Sequence, residues 1–221
     1  MRRAWILDLD NTLYPADSGL FDRVVERIYD YMVQTLDIPR HEAVALSSRY
    51  RETYGLTLGG LMAHHGVDPD EYMAYVHDLP LPDFIRPDPV LAGMLADLSG
   101  EKVIFTNGSR AHARAVLSRL GIEDRVDGVF DIAFMDYVPK PRPHGYRKLL
   151  ETLGTDPREC WMVDDLVENL NTARSLGMTT VLVGPAPAPP HLHVASAREL
   201  AQLAKVDARS RTNLQTEASG L

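Results

Sequence analysis

Two short apolar segments of the chain run directly into acids: Trp5-Ile6-Leu7 into Asp8-Leu9-Asp10, and Trp161-Met162-Val163 into Asp164-Asp165. In an open parallel sheet, ligands bind beyond the carboxyl ends of the strands. If these segments are neighbouring strands, four carboxylates gather on one edge. Like charges about 4 Å apart repel by roughly 4 kcal/mol at an effective dielectric near 20, so the group demands a cation or shared protons. Oxygen-only ligation points to Mg2+, a hard ion that takes one or two carboxylates and leaves room for a substrate phosphate. A single Asp at a strand end more often caps the following turn or helix. The pattern Asp8-x-Asp10-x-Thr12, joined by a second acid pair, outweighs that plainer explanation.

Two other segments offer what a phosphate needs. Thr106-Asn107-Gly108-Ser109 follows an apolar run and supplies a hydroxyl, an amide and a flexible loop whose N–H groups can face an anion at a helix N-terminus. Alone it is also an ordinary Asn-Gly turn. Lys140 lies in Tyr137-Val138-Pro139-Lys140-Pro141-Arg142-Pro143. A lone loop lysine is usually solvated, but prolines on both sides hold its backbone, as suits an ammonium that must reach a fixed anion.

The elements that must position these groups follow from the hydropathy pattern. Short apolar runs at 4–7, 102–105, 129–134, 160–163 and 179–183 alternate with helical stretches near 89–98, 110–120, 143–153 and 166–176. That alternation predicts an α/β fold, a Rossmann-like parallel sheet covered by helices on both faces. Some ninety residues separate the first strand from the second, where a βαβ unit needs only roughly 30. Leu20, Val24, Ile28, Met32 and Leu36 recur there at helical spacing, and further helices are expected near 40–54, 57–65 and 69–78, the last opened by Asp68-Pro69. The insert therefore reads as a small all-helical cap domain over 17–83, joined back by a proline-rich connector. The α/β core takes 1–16 and 84–206. Residues 184–190 form an extended surface segment, a short helix is expected over 196–204, and 207–221 is expected to be a disordered tail.

Composition narrows the function. The 221 residues carry a net charge of −8 with no long run of either sign, which argues against nucleic-acid or anionic-membrane binding as the main role. The single cysteine, Cys160, permits neither an internal disulfide nor a thiolate cluster, and reads as a core thiol. The apolar run at the N-terminus stops at Asp8, short of a signal peptide, so a reducing, cytoplasmic compartment is expected. No Walker loop is present. His191 and His193 read as surface residues after the proline run, and His64, His65 and His77 as a solvated helix face. Tyr14, Tyr50, Tyr54, Tyr72 and Tyr75 read as core aromatics, with none singled out as a base-stacking partner.

Taken in order, Asp8-Leu9-Asp10-Asn11-Thr12-Leu13, Thr106-Asn107-Gly108, Lys140-Pro141 and Asp164-Asp165 resemble the four motifs of the haloacid dehalogenase superfamily of phosphohydrolases. The position of the insert resembles that superfamily's first class of helical cap. Tyr14-Pro15-Ala16 and Ser109-Arg110-Ala111-His112-Ala113 resemble the branch described as pyrimidine 5'-nucleotidases. The resemblance implies that Asp8 is the nucleophile, forming an aspartyl-phosphate, and that Asp10 is the acid and then the base. Thr106, Asn107, Gly108 and Lys140 would bind phosphate, and Lys140 would also share in catalysis by offsetting charge. Mg2+ would be held by Asp8, Asp10 through its carbonyl, and Asp165, with Asp164 a ligand or a supporting acid. One departure is Asn169, where many relatives carry an acid. Dehalogenases of the superfamily lack an acid at the position of Asp10, since a halide needs no proton.

The expected function is Mg2+-dependent hydrolysis of a small phosphorylated metabolite, foremost a pyrimidine nucleoside 5'-monophosphate, with phosphoglycolate or a sugar phosphate as alternatives. A phosphoryl-accepting regulatory module is the reading from another class. The sequence leaves the oligomeric state open.

Overall fold

The computed structural model describes residues 3–204; the predicted tail at 207–221 lies outside the described residues. Six parallel strands form one sheet in the order β3-β2-β1-β4-β5-β6: β1 Ala4–Leu7, β2 Glu101–Phe105, β3 Gly128–Phe130, β4 Cys160–Asp164, β5 Thr179–Val183 and β6 Leu192–Val194. β1 lies between β2 and β4, with Leu7 opposite both Ile104 and Val163. The acid-bearing strands are therefore neighbours.

Alternation along β1 explains why both of its faces are apolar. Ala4 and Ile6 enter one buried cluster with Met162, Tyr146 and Leu170. Trp5 and Leu7 enter the other with Trp161, Leu91 and Leu117. A strand with period-2 side chains that is covered on both faces reads as a continuous apolar run. The helices α6 (Pro89–Asp97), α7 (Arg110–Leu120), α8 (Pro143–Leu153) and α9 (Val167–Ser175) supply those covers. Asp88 caps α6 through the N–H of Leu91, and Ser109 caps α7 through that of His112. Gly121 ends α7 in the left-handed region at φ 75°, which favours glycine.

Between β1 and the proline-rich connector, four helices pack on one another: α1 (Leu20–Leu36), α2 (Arg40–Tyr54), α3 (Thr57–His65) and α4 (Pro69–Val76). Asp68 accepts from the N–H groups of Asp70 and Glu71, and Pro69 opens α4. Leu20, Val24 and Met32 are buried, and Val24 with the half-buried Ile28 on the same stripe lines a cavity above the sheet edge. A one-turn helix, α5 (Leu81–Phe84), interrupts the proline-rich connector.

Three local expectations are corrected. The strand expected over 129–134 is paired only over Gly128–Phe130, because Asp131 turns the chain by accepting from the N–H groups of Arg110 and Phe134. β6 was not expected, since prolines mask the short apolar run after them. His191 is not a surface residue: it is buried, with Nδ1 2.7 Å from the Thr180 hydroxyl, while half-buried His193 bonds the carbonyl of Gly184 at 2.8 Å. Among the described residues, no helix is long and apolar enough to cross a membrane.

Candidate active site

The turn after β1 does most of the placing. Asp8 extends the ladder, its N–H donating to Val163 at 2.9 Å. Asn11 then takes a left-handed conformation at φ 61°, one that Asn tolerates better than most residues. The N–H of Leu13 returns to the carbonyl of Leu9. In this coil Asp8 points to the floor of the cavity and Asp10 lines its wall. The Thr12 hydroxyl donates back to Asp8 Oδ2 at 2.9 Å and lies 3.5 Å from Asp165 Oδ1.

Lys140 reaches the same floor from the loop after β3. Its buried Nζ donates to Asp8 Oδ1 at 2.7 Å and to Asp164 Oδ2 at 2.8 Å. The backbone of this loop is gripped from β2: Asn107 accepts from the Lys140 N–H at 2.9 Å and donates to the Lys140 carbonyl at 3.2 Å. The Asn107 side chain is thus committed to holding Lys140. The Thr106 hydroxyl accepts from the Gly108 N–H at 2.9 Å, closing a tight loop at the cavity wall.

The second acid pair divides its duties. Asp164 is fully buried and its oxygens are taken by Lys140, the Leu166 N–H and both contacts of the Asn169 amide. Asn169, where an acid was missed, serves as the donor that satisfies Asp164. Asp165 is half-buried and lines the cavity.

The floor is over-acidic. Oxygens of Asp8, Asp164 and Asp165 all lie within 4.8 Å of one another, and among the described residues Lys140 is the cation that bonds to them there. Burial pushes the Asp8 carboxyl up to about 8, Lys140 opposing and Asp164 adding to the rise. Burial and the adjacent Asp164 raise Asp165 to about 6. Burial works against the charge of Lys140, but Asp164 and Asp8 hold it well above its ordinary range. An all-oxygen donor set with carboxyls forced toward protonation fits a hard divalent cation.

Asp10 is treated in the opposite way. Burial would raise it, yet His112 and Tyr14 hold it at about 2. The Tyr14 hydroxyl donates to Asp10 Oδ1 at 2.6 Å, and His112 Nε2 lies 2.8 Å from the same oxygen. An ionised carboxylate only accepts, so His112 carries its hydrogen on Nε2. In the sequence Tyr14 and His112 stand out as points of resemblance, and Tyr14 also as a core aromatic, with no contact to Asp10 expected of either. His77 is also not on a solvated face. It is half-buried, its ring stacks on His112 with centroids 4.2 Å apart, and burial together with His112 pushes it down to about 3.

The cavity over these groups has a volume of about 450 Å³, within the range of small-molecule sites. Its upper wall comes from the helical insert and is mostly apolar, with Val24, Ile28, Leu58 and Met73, while Arg51 is the cation that the insert contributes. Tyr72 lines it as well, whereas His64 and His65 are exposed and pair with Tyr54 and Tyr50 instead.

Comparison with known proteins agrees with this arrangement. The chain is 28% identical over 197 residues to phosphate metabolism protein 8 of Saccharomyces cerevisiae, covering 82% of this chain and 61% of that one, so it spans about three fifths of the yeast protein's length. It is 27% identical over 200 residues to a phosphoglycolate phosphatase of Rhodospirillum rubrum, covering 83% and 80% of the two chains. An (S)-2-haloacid dehalogenase of Xanthobacter autotrophicus is 28% identical over 195 residues, covering 83% and 75%. A solved L-2-haloacid dehalogenase structure from the same organism shares the fold, with a TM-score of 0.55 at 20% identity over 93% of this chain and 99% of that one. Residues 3–177 match the family model of haloacid dehalogenase-like hydrolases, and the chain belongs to that family.

Proposed function

We propose that the protein is a phosphomonoester hydrolase in which Asp8 attacks phosphorus and Asp10 manages the protons. The observation that carries this reading is Asp10 itself: an acid two residues beyond Asp8, lining the same cavity and held by two donors. A dehalogenase has no use for it, because a halide leaves without a proton.

The steps follow from the residues. Asp8 Oδ1 is held by Lys140 and Oδ2 by Thr12, which fixes the carboxylate with lone pairs to spare for attack. Displacement of the alcohol gives an aspartyl-phosphate on Asp8. Lys140 and Thr106 flank the position of the transferring phosphoryl oxygens and offset their charge. In the resting protein Asp10 is the ionised form. Arrival of a dianionic phosphate raises its proton affinity, so that it takes up a proton from solvent, passes it to the leaving alcohol, and afterwards, as the carboxylate again, draws a proton from the attacking water. Mg2+, held by Asp8, Asp165 and the Asp10 carbonyl, would supply charge neutralisation of the phosphoryl group. Asp164 would serve that site indirectly, by orienting Lys140.

The helical insert serves as the cap that encloses the leaving group. A pyrimidine nucleoside 5'-monophosphate is the first substrate to test: the cavity volume admits it, and a flat base suits the apolar wall with Tyr72. Phosphoglycolate is the alternative favoured by Arg51, which could take a second anionic group. A phosphate-release screen with Mg2+ over UMP, CMP, sugar phosphates and phosphoglycolate tests the reading. Many phosphates released per protein, lost on chelation, are expected, with UMP and CMP fastest. Much faster hydrolysis of another class overturns the nucleotide assignment, and a single phosphate accepted without turnover overturns the hydrolase in favour of a regulatory acceptor.

A further inference from the structure

Asp10 is held by one oxygen only. Tyr14 and His112 both reach Oδ1, and among the described residues Oδ2 accepts no hydrogen bond. Two donors on one oxygen lock the torsion of the carboxylate and leave the other oxygen available for a proton. Tyr14 comes from the turn four residues on, but His112 comes from α7, the helix that follows β2, the strand beside β1.

His112 is in turn held from the helical insert. His77, at the C-terminus of α4, lays its ring on that of His112 with planes only 16° apart. Its Nδ1 lies 3.1 Å from the hydroxyl of Ser109, the residue that caps α7. Close by, a Cβ on Gly108 would sit 3.4 Å from His112 Cδ2 and 3.6 Å from Asp10 Oδ2, so the loop after β2 also confines the pair. Among the described residues, the buried His112 Nδ1 has no hydrogen-bond partner. A residue serving packing alone would not carry an unpartnered ring nitrogen into the interior.

We propose that Tyr14 and His112 are positioning residues for Asp10, and that His77 makes the alignment of Asp10 depend on the insert being seated over the site. The inference rests on the reading of Asp10 as the acid that protonates the leaving alcohol. It deepens that reading by naming a physical link between the insert and the proton-transfer step: contact of His77 with His112, and of His112 with Asp10. When the insert lifts, His112 loses its stacking partner, and the carboxylate is no longer fixed by a supported donor.

The test uses the full chain with Mg2+ and two esters, p-nitrophenyl phosphate, whose alcohol departs unaided, and phenyl phosphate, whose alcohol departs poorly. Rapid-mixing measurements of alcohol release isolate the first chemical step. His112→Ala is expected to slow phenol release about 100-fold, the usual size of general acid catalysis, and p-nitrophenol release far less. Tyr14→Phe, which removes one oxygen and keeps the ring, is expected to show the same selectivity at about tenfold. His77→Ala should slow phenol release, His77→Phe should recover much of the loss by restoring the stack, and His77→Ala should add nothing in the His112→Ala background. Thermal unfolding checks each variant, and if His112→Ala fails to fold, Tyr14→Phe and the His77 pair decide. Equal slowing of both esters by His112→Ala and Tyr14→Phe overturns the positioning role, and multiplying effects of His77 and His112 overturn the link to the insert. Asp10→Asn is the separate control. If it slows both esters equally, the acid role of Asp10 fails; if it is selective while His112→Ala and Tyr14→Phe are not, only the present inference fails.

Discussion

Asp8 and Asp10 stand two residues apart on one turn, yet the floor and the wall of the cavity treat them oppositely. On the floor, Asp8 shares a buried space with Asp164, Asp165 and one lysine, and is driven up to about 8. On the wall, Asp10 meets a phenol and an imidazole and is held at about 2. The floor carries a charge imbalance that a cation would relieve, while the wall is satisfied without one. Carboxyls whose environments push them apart in this way are suited to different roles. Beyond Asp10 the chain turns through the left-handed Asn11, and the Thr12 hydroxyl comes back to Asp8.

If the comparison holds, floor variants change cation dependence and wall variants do not. The largest effect is expected from Asp8→Asn, which on the proposed mechanism removes the nucleophile and one cation ligand together. Turnover should fall by about 10⁵-fold, as for loss of other catalytic nucleophiles, with no phosphoprotein formed. Retention of more than a hundredth of the activity would assign the attack to another group. Lys140→Met comes next. It keeps the volume but leaves Asp8 and Asp164 facing each other without their counter-charge, and breaking a buried pair in this way costs roughly 3–5 kcal/mol. The thermal midpoint should drop by several degrees, Mg2+ should restore part of it, and activity should fall about 10³-fold. A midpoint unchanged by the substitution would mean that the floor is not imbalanced.

The floor was far more legible in the sequence than the wall, for a physical reason. Asp8, Asp164 and Asp165 each close an apolar strand, and a parallel sheet brings strand ends together, so placement follows from pattern alone. Lys140 was marked by its prolines, and Asn107, expected at the phosphate, also grips the Lys140 backbone. The wall is assembled otherwise. His112 lies on a helix where an inward histidine looks like any core residue, and its partner is 102 positions away. His77 follows the last residue of α4, so helical periodicity placed it on a solvated face when it turns toward α7. Asn169 looked like a missing acid because its use depends on the already crowded Asp164. Strand ends are set by topology, but contacts between a helix and an inserted helix depend on packing that a single chain does not spell out.

A smaller effect sharpens the contrast through pH. In the cation-free protein Asp165 rises from the ordinary 3.8 to about 6 and Asp8 to about 8, so the folded state holds more protons than the unfolded chain between those limits. Their contribution to stability is complete below about pH 4 and is lost as pH climbs through 6 and then 8. Asp10, lowered to about 2, contributes in the opposite sense, and that part is lost only as pH falls toward 2. Between pH 5 and 8 the floor therefore governs the change. Mg2+ held by the ionised carboxylates would expel their protons, so its affinity should weaken about tenfold per pH unit from 8 down to 6 and about a hundredfold per unit below 6, where both Asp8 and Asp165 carry protons. The rise in thermal midpoint produced by a fixed Mg2+ concentration should accordingly be larger at pH 8 than at pH 5, and calorimetric titration should detect protons released on binding. Because Tyr14 and His112 carry the wall, Tyr14→Phe should leave that pH dependence as it is, whereas Asp165→Asn should flatten it. A Mg2+-induced shift of equal size at both pH values would show that the floor carboxyls are not the groups that take up the cation, and the division between floor and wall would fall with it.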